Sequence, residues 1–265
     1  MYGAIIGDVA GSIYEYNQVK EVSEVNIKEL IPNNSFYSDD TILTIAILDC
    51  ILNNGNYEDY LKEYINEYKN YRPEFKPYFK TPFSPGTTKW ATTTNDIGTS
   101  KGNGAMMRIS PVGYLFNTEE EVIYNATMAT IPSHNTKEAI DSATLVALII
   151  FYARKGLNKE EIIEKLNIKY QYKKFKKFNL TCNETIDNCL YALFTSNNYE
   201  EAIKKVISYG GDTDTNACIT ASMAEALYGL DESLILTIQE KLPKQFVKKL
   251  ELGYSQIKNI KNNVY

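Results

Sequence analysis

The sequence predicts an all-α fold, a single-domain multi-helix orthogonal bundle. Three observations predict it. Apolar residues recur with a period near 3.6 along most of the chain, and no run of alternating apolar and polar residues marks a strand. The length of 265 residues fits one large domain or two small ones. No internal repeat and no clear linker divides the chain, so residues 1–265 are taken as one domain.

The elements follow in order. Residues 3–16 form a helix of small residues, with Gly3, Gly7 and Gly11 four apart, so that another backbone can approach closely. Residues 41–54 are apolar almost all round (Ile42, Leu43, Ile45, Ala46, Ile47, Leu48, Ile51, Leu52), which places that helix at the centre. Residues 57–71 form an amphipathic surface helix capped by Asn56 or the residue beside it. Residues 72–104 change character: Pro73, Pro77, Pro82 and Pro85 accompany a Thr-rich stretch and Gly98, Gly102 and Gly104. A structureless segment of this length inside a domain is usually functional. Helices are then predicted at about 119–130, 135–155, 158–167, 184–195, 199–209, 213–229, 231–240 and 243–251.

With 44% hydrophobic and 23% charged residues the chain can bury a full core. The net charge of -5 argues against a generic nucleic-acid coat. The one basic-aromatic run, Lys169 to Lys177, reads either as a phosphate contact or as a solvated connection. Cys50, Cys182, Cys189 and Cys218 form no C-x-x-C pair, and His134 is the only histidine, which argues against a zinc site, and reduced thiols are expected. No apolar run approaches the roughly 20 residues of a membrane span. The start, Met1-Tyr2-Gly3-Ala4-Ile5, lacks a basic leader, so a cytoplasmic monomer without membrane contact is expected.

Two acidic clusters carry the chemistry. Ser38-Asp39-Asp40-Thr41 and Asp212-Thr213-Asp214-Thr215 each precede a strongly apolar helical run, the second entered through Gly210-Gly211. Capping accounts for one acid or hydroxyl at a helix start. Two carboxylates with flanking hydroxyls exceed that need. Brought together, four carboxylates would repel unless a hard divalent cation neutralised them, and all-oxygen ligation selects Mg²⁺, Mn²⁺ or Ca²⁺. Gly102-Asn103-Gly104 exposes backbone N–H groups that could cradle a pyrophosphate, although such a run is more often a plain turn.

Taken in order, Gly7-Asp8, Gly11-Ser12, Tyr14-Glu15, Tyr37-Ser38-Asp39-Asp40-Thr41, Gly102-Asn103-Gly104-Ala105-Met106-Met107-Arg108, Ser133-His134-Asn135 and Gly210-Gly211-Asp212-Thr213-Asp214-Thr215 resemble the ADP-ribosylglycohydrolases. The resemblance implies a binuclear Mg²⁺ (or Mn²⁺) centre held by Ser38, Asp39, Asp40, Asp212, Asp214 and Thr215. Ser38 stands where threonine is usual and keeps the hydroxyl. It implies that Glu15 gates or supports the metal site, and that Gly102, Asn103, Gly104, Met106, Arg108 and His134 line the ADP-ribose. Arg108 would pair with a phosphate or else form a buried ion pair. His134 follows Pro132-Ser133 at a helix start, and Thr136 replaces a further histidine of many members. Asp96, in Thr94-Asn95-Asp96-Ile97-Gly98, matches an aspartate near the ribose in one branch of the family, which implies a catalytic acid/base there; an Asx-turn accounts for it equally well.

The implied reaction is hydrolysis of the glycosidic bond between ADP-ribose and an acceptor, through an oxocarbenium-like transition state. Metals would hold the ribose hydroxyls and orient a water whose proton passes to Glu15, Asp39 or Asp40. ADP-ribose is the product. Arginine, serine, a nucleic-acid base or a small O-linked ester remain open as acceptors, with nucleic acid entering only as modified substrate. The acceptor wall is expected in residues 72–98 and 169–182. The competing readings are a metal-dependent phosphoester or pyrophosphate hydrolase and a non-catalytic ADP-ribose-binding protein on the same fold.

Overall fold

The computed structural model describes residues 1–73, 82–93 and 96–262. Regular structure among the described residues is helical: α1 (Tyr2–Lys20), α2 (Asp39–Leu52), α3 (Tyr57–Tyr68), α4 (Pro85–Thr93), α5 (Gly104–Met107), α6 (Ser110–Leu115), α7 (Glu119–His134), α8 (Lys137–Arg154), α9 (Lys159–Lys165), α10 (Cys182–Phe194), α11 (Tyr199–Ser208), α12 (Thr213–Tyr228), α13 (Glu232–Lys241) and α14 (Lys244–Asn262). Two isolated bridges, Thr99 with His134 and Gly102 with Thr181, pin the glycine-rich segment between α7 and α10. No helix among the described residues is long and apolar enough to cross a membrane.

The organising contact is an antiparallel seam between α1 and α12. Gly3 faces Ala221, Gly7 faces Ala217 and Gly11 faces Thr213 and Asp214. A Cβ at Gly3 would stand 2.5 Å from the Ala221 carbonyl oxygen, and one at Gly11 would stand 2.5 Å from the Asp214 Cα. The missing side chains therefore set the helix separation, and through Gly11 they seat the start of α12 on the middle of α1. α2 lies in the core as its sequence requires, with Ile42 through Leu48 buried, and packs against α1, α3, α6 and α14. The four cysteines are buried and free.

Two expectations need correction. Residues 72–104 are not structureless throughout, because α4 forms at Pro85–Thr93. The signal is Ser84-Pro85: the Ser84 hydroxyl accepts from the Thr87 amide at 3.1 Å, and proline's fixed φ suits the first helical turn. His134 ends α7 rather than starting the next helix. The chain breaks at Asn135, and Thr136 caps α8 by accepting from the Ala139 amide at 3.4 Å.

Candidate active site

The α1–α12 seam and the α2 start bring three acidic segments to one place. Asp8, on α1, is fully buried. One carboxylate oxygen, Oδ2, accepts from the Ser38 amide at 2.9 Å, the Thr41 amide at 3.1 Å and the Thr41 hydroxyl at 2.5 Å. Asp8 thus fixes the α2 start upon α1. Ser38 completes the cap: its hydroxyl accepts from the Asp40 amide at 3.2 Å and donates to Asp40 Oδ2 at 3.1 Å.

The α12 start is held differently. Gly210 and Gly211, at φ of 73° and 75°, make the entry that only glycine adopts without strain. Asp212 occupies the N-cap position, yet its side chain makes no capping hydrogen bond. Its Oδ2 accepts from the Asn103 side chain at 2.7 Å, and its amide donates to Asn179 Oδ1 at 2.9 Å. Asn179, buried, also donates to Thr185 and Asn216, each at 2.8 Å. The Thr215 hydroxyl donates to Asp40 Oδ2 at 3.3 Å, joining the two acidic starts directly.

The outcome is two carboxylate triads that share one member. Oxygens of Asp8, Asp40 and Asp214 lie within 4.8 Å of one another, as do those of Glu15, Asp212 and Asp214. Among the described residues, no lysine or arginine forms an ion pair with Asp8, Asp39, Asp40, Asp212 or Asp214. Burial, then the Asp214 charge, pushes Asp8 up to about 7. Burial raises Asp39, Asp40 and Asp212 as well, reinforced by neighbouring carboxylates. Asp8 Oδ1 and Asp40 Oδ1 are buried without a hydrogen-bond partner. Unpartnered anionic oxygens beside like charges are costly, and a hard cation is the group that removes both costs. The donor set therefore fits an oxygen-ligated divalent ion.

Asp39 is half-buried and belongs to neither triad, although the charges of Asp214, Asp8 and Glu15 act on it. Asp8 is the central residue that sequence reasoning leaves out of the ligand set. Its signal is legible: it is the first acid of the chain and lies between Gly7 and Gly11 in a helix otherwise built to be buried. Asn179 is the other omission, and an asparagine in a connecting segment carries no comparable signal.

The glycine loop lies against this centre. Asn103 joins it to Asp212, and the Asn103 amide donates to the Leu180 carbonyl at 2.9 Å. His134, largely buried, turns its Nε2 edge toward the loop: a Cβ at Gly102 would stand 3.4 Å from that nitrogen, and one at Gly104 would stand 3.6 Å away. Met106 is fully buried in the apolar core. Arg108 is buried too, and among the described residues it forms no ion pair. Its Nη2 donates to the Ala129 carbonyl at 3.2 Å and to Ser133 Oγ at 2.7 Å. Asp96 is exposed and belongs to neither triad. Thr94 and Asn95 beside it, and residues 74–81 of the expected acceptor wall, lie outside the described residues. In the 169–182 segment, Lys173, Lys174 and Lys177 pair with Asp187, Glu24 and Glu184, while Phe175 packs beneath Gly211.

A model of the ADP-ribosylglycohydrolase family matches residues 1–265. The chain belongs to the ADP-ribosylglycohydrolase family. It is 25% identical over 287 residues to an Acanthamoeba polyphaga mimivirus protein named for ADP-ribosyl glycohydrolase activity, across 85% of this chain and 84% of that one. It is 24% identical over 166 residues to an ADP-ribosylarginine hydrolase of Pseudomonas putida strain GB-1, across 56% of this chain and 44% of that one. A solved ADP-ribosylglycohydrolase-related protein complex shares the fold, with a TM-score of 0.65 and 19% identity over 97% of this chain and 92% of that chain. An ADP-ribosylglycohydrolase thus has its acidic residues gathered at the α1–α2–α12 junction.

Proposed function

We propose that this ADP-ribosylglycohydrolase cleaves the N-glycosidic bond between ADP-ribose and an arginine side chain, with two Mg²⁺ (or Mn²⁺) ions as cofactor. The observation that carries the reading is the pair of triads sharing Asp214, buried except at Glu15, next to a glycine loop. Arginine is chosen as acceptor because the P. putida relative is named for that substrate.

Asp8, Asp40 and Asp214 would hold one ion and Glu15, Asp212 and Asp214 the other, with the Ser38 and Thr215 hydroxyls beside them. When bound, such ions supply positive charge for sugar hydroxyls and for a water. The protein's own part is positional and electrostatic. Gly102, Asn103 and Gly104 leave space for the nucleotide, and His134 faces the same space. Glu15 and Asp39 are only half-buried, so they are the carboxylates that can take the proton of an attacking water. The surrounding negative charge favours the positive character that develops on the ribose as the bond breaks.

The test is product analysis on ADP-ribosylated arginine, serine and DNA, each with Mg²⁺ and with EDTA. Free ADP-ribose and unmodified arginine, formed only with metal, are expected. AMP with ribose phosphate left attached to the acceptor would identify a pyrophosphate hydrolase instead, and absence of any product would identify a binding protein.

A further inference from the structure

Arg108 is a buried cation with no carboxylate partner among the described residues, and the catalytic reading gives it no task. Its surroundings do. Arg108 Nη2 donates to Ser133 Oγ at 2.7 Å, and Ser133 Oγ lies 2.7 Å from His134 Nδ1. A guanidinium can only donate, so the serine oxygen accepts from it. The hydroxyl proton then needs an acceptor, and among the described residues the one within reach is Nδ1. That assigns Nδ1 as an acceptor and leaves the ring proton on Nε2. Nε2 has no hydrogen-bond partner among the described residues, and it faces the Gly102–Gly104 loop across the space that two absent Cβ atoms leave open.

We propose that Arg108 and Ser133 are positioning residues that fix His134 as a neutral imidazole with its proton on Nε2, so that it donates a hydrogen bond to an anionic oxygen of the nucleotide on the glycine loop. The choice of ligand rests on the proposed activity; the relay does not. Two further facts agree with it. Burial and the nearby Arg108 charge both hold His134 well below the usual imidazole range, so the ring stays neutral. Arg108 itself, brought down to about 10 by burial, stays charged near neutrality. The relay also explains why this arginine follows the loop in sequence without entering it: it acts from behind the ring.

His134 is the only histidine, so an untagged protein gives one imidazole in a long-range ¹H–¹⁵N spectrum. At pH 7 the free protein should show Nε2 protonated and Nδ1 bare, and ADP-ribose should shift the Nε2 signal. Ser133→Ala should give mixed tautomers. It should also raise KM for ADP-ribosylated arginine about tenfold while kcat stays within about twofold, as expected for lost uniform binding. Ser133→Thr should restore both. A proton on Nδ1, an imidazolium at pH 7, an unchanged tautomer in Ser133→Ala or an Nε2 signal indifferent to ADP-ribose would overturn the proposal. The tautomer is read without turnover, so failure of the relay and failure of the proposed reaction appear in separate experiments.

Discussion

The two acidic helix starts look alike in sequence and are built in opposite ways. At α2 side chains cap the helix: Ser38 Oγ holds the Asp40 amide, and Asp8 Oδ2 holds the amides of Ser38 and Thr41. At α12 the N-cap residue Asp212 caps nothing; Asn103 holds its carboxylate and Asn179 its amide. At α2, one hydroxyl and one distant carboxylate satisfy the backbone, and Asp40 is spare. At α12 Asp214 Oδ1 accepts the Thr215 amide of its own turn at 2.9 Å, whereas Asp212 is spare from the outset and is held by amides brought from loops. The difference separates residues that serve the fold from residues that serve a ligand.

Asp214 belongs to both triads, so its loss should cost most. Asp214→Asn keeps the shape and removes the shared charge. Activity should fall on the order of 10³-fold or more, beyond the roughly 10–100-fold typical of a lost supporting partner. The far-UV circular dichroism should persist. Asp214→Asn should also raise Tm in EDTA, because it relieves repulsion on Asp8, Asp39, Asp40 and Asp212. A lower Tm in EDTA would show that Asp214 serves the fold instead.

Asn103→Ala probes the looser support at α12. It leaves every capping hydrogen bond intact and frees the Asp212 carboxylate. Mg²⁺ affinity, measured by calorimetry, should fall by roughly 10–100-fold, the usual cost of removing a group that orients a ligand. An unchanged affinity would mean that Asp212 needs no outside support.

The metal-free protein should be sensitive to pH, with a sign that follows from the raised carboxylates. Asp8 sits at about 7, against an ordinary value near 4. Between those values the folded chain binds more protons than the unfolded one, so stability falls as pH rises. Asp39, Asp40 and Asp212 act in the same sense. His134, held neutral, and the Met1 ammonium, lowered by burial, act oppositely, two groups against four. Glu184, lowered to about 2, changes only below this window. In EDTA, Tm at pH 8 should lie at least roughly 3 °C below Tm at pH 5. Saturating Mg²⁺ should remove or invert that order, because metal binding favours the deprotonated carboxylates.

How much of this was legible follows from where each signal lies. The Gly3-Gly7-Gly11 spacing announces a close backbone approach, and the structure supplies α12 as the partner. The apolar run after Asp40 announces a buried helix, and α2 is one. The acids at both helix starts exceed a cap and do converge. α5 and α6 are too short for a period to show, and α4 is hidden by the prolines around it, although Ser84-Pro85 marks its start. Asp8 falls inside a helix rather than at its end, where attention to caps does not look. Arg108 reads as a phosphate contact because it follows a glycine loop; only three-dimensional structure shows it turned inward to Ser133.

The smallest effect discriminates best. Ser38→Ala and Asp212→Ala delete the residues at equivalent positions before two helices. If the two starts differ as their hydrogen bonds say, Ser38→Ala should destabilise the metal-free protein by about 1 kcal/mol, the ordinary cost of losing a serine cap. Asp212→Ala removes no cap and takes a like charge from beside Asp214, so it should leave Tm in EDTA unchanged or higher. With Mg²⁺ the order should reverse: Asp212→Ala loses most of the metal-induced rise in Tm, while Ser38→Ala keeps most of it. Equal losses without metal would mean that both helix starts are caps and that the acids of α12 belong to the fold. Thermal melts of the two variants with and without metal decide between the two.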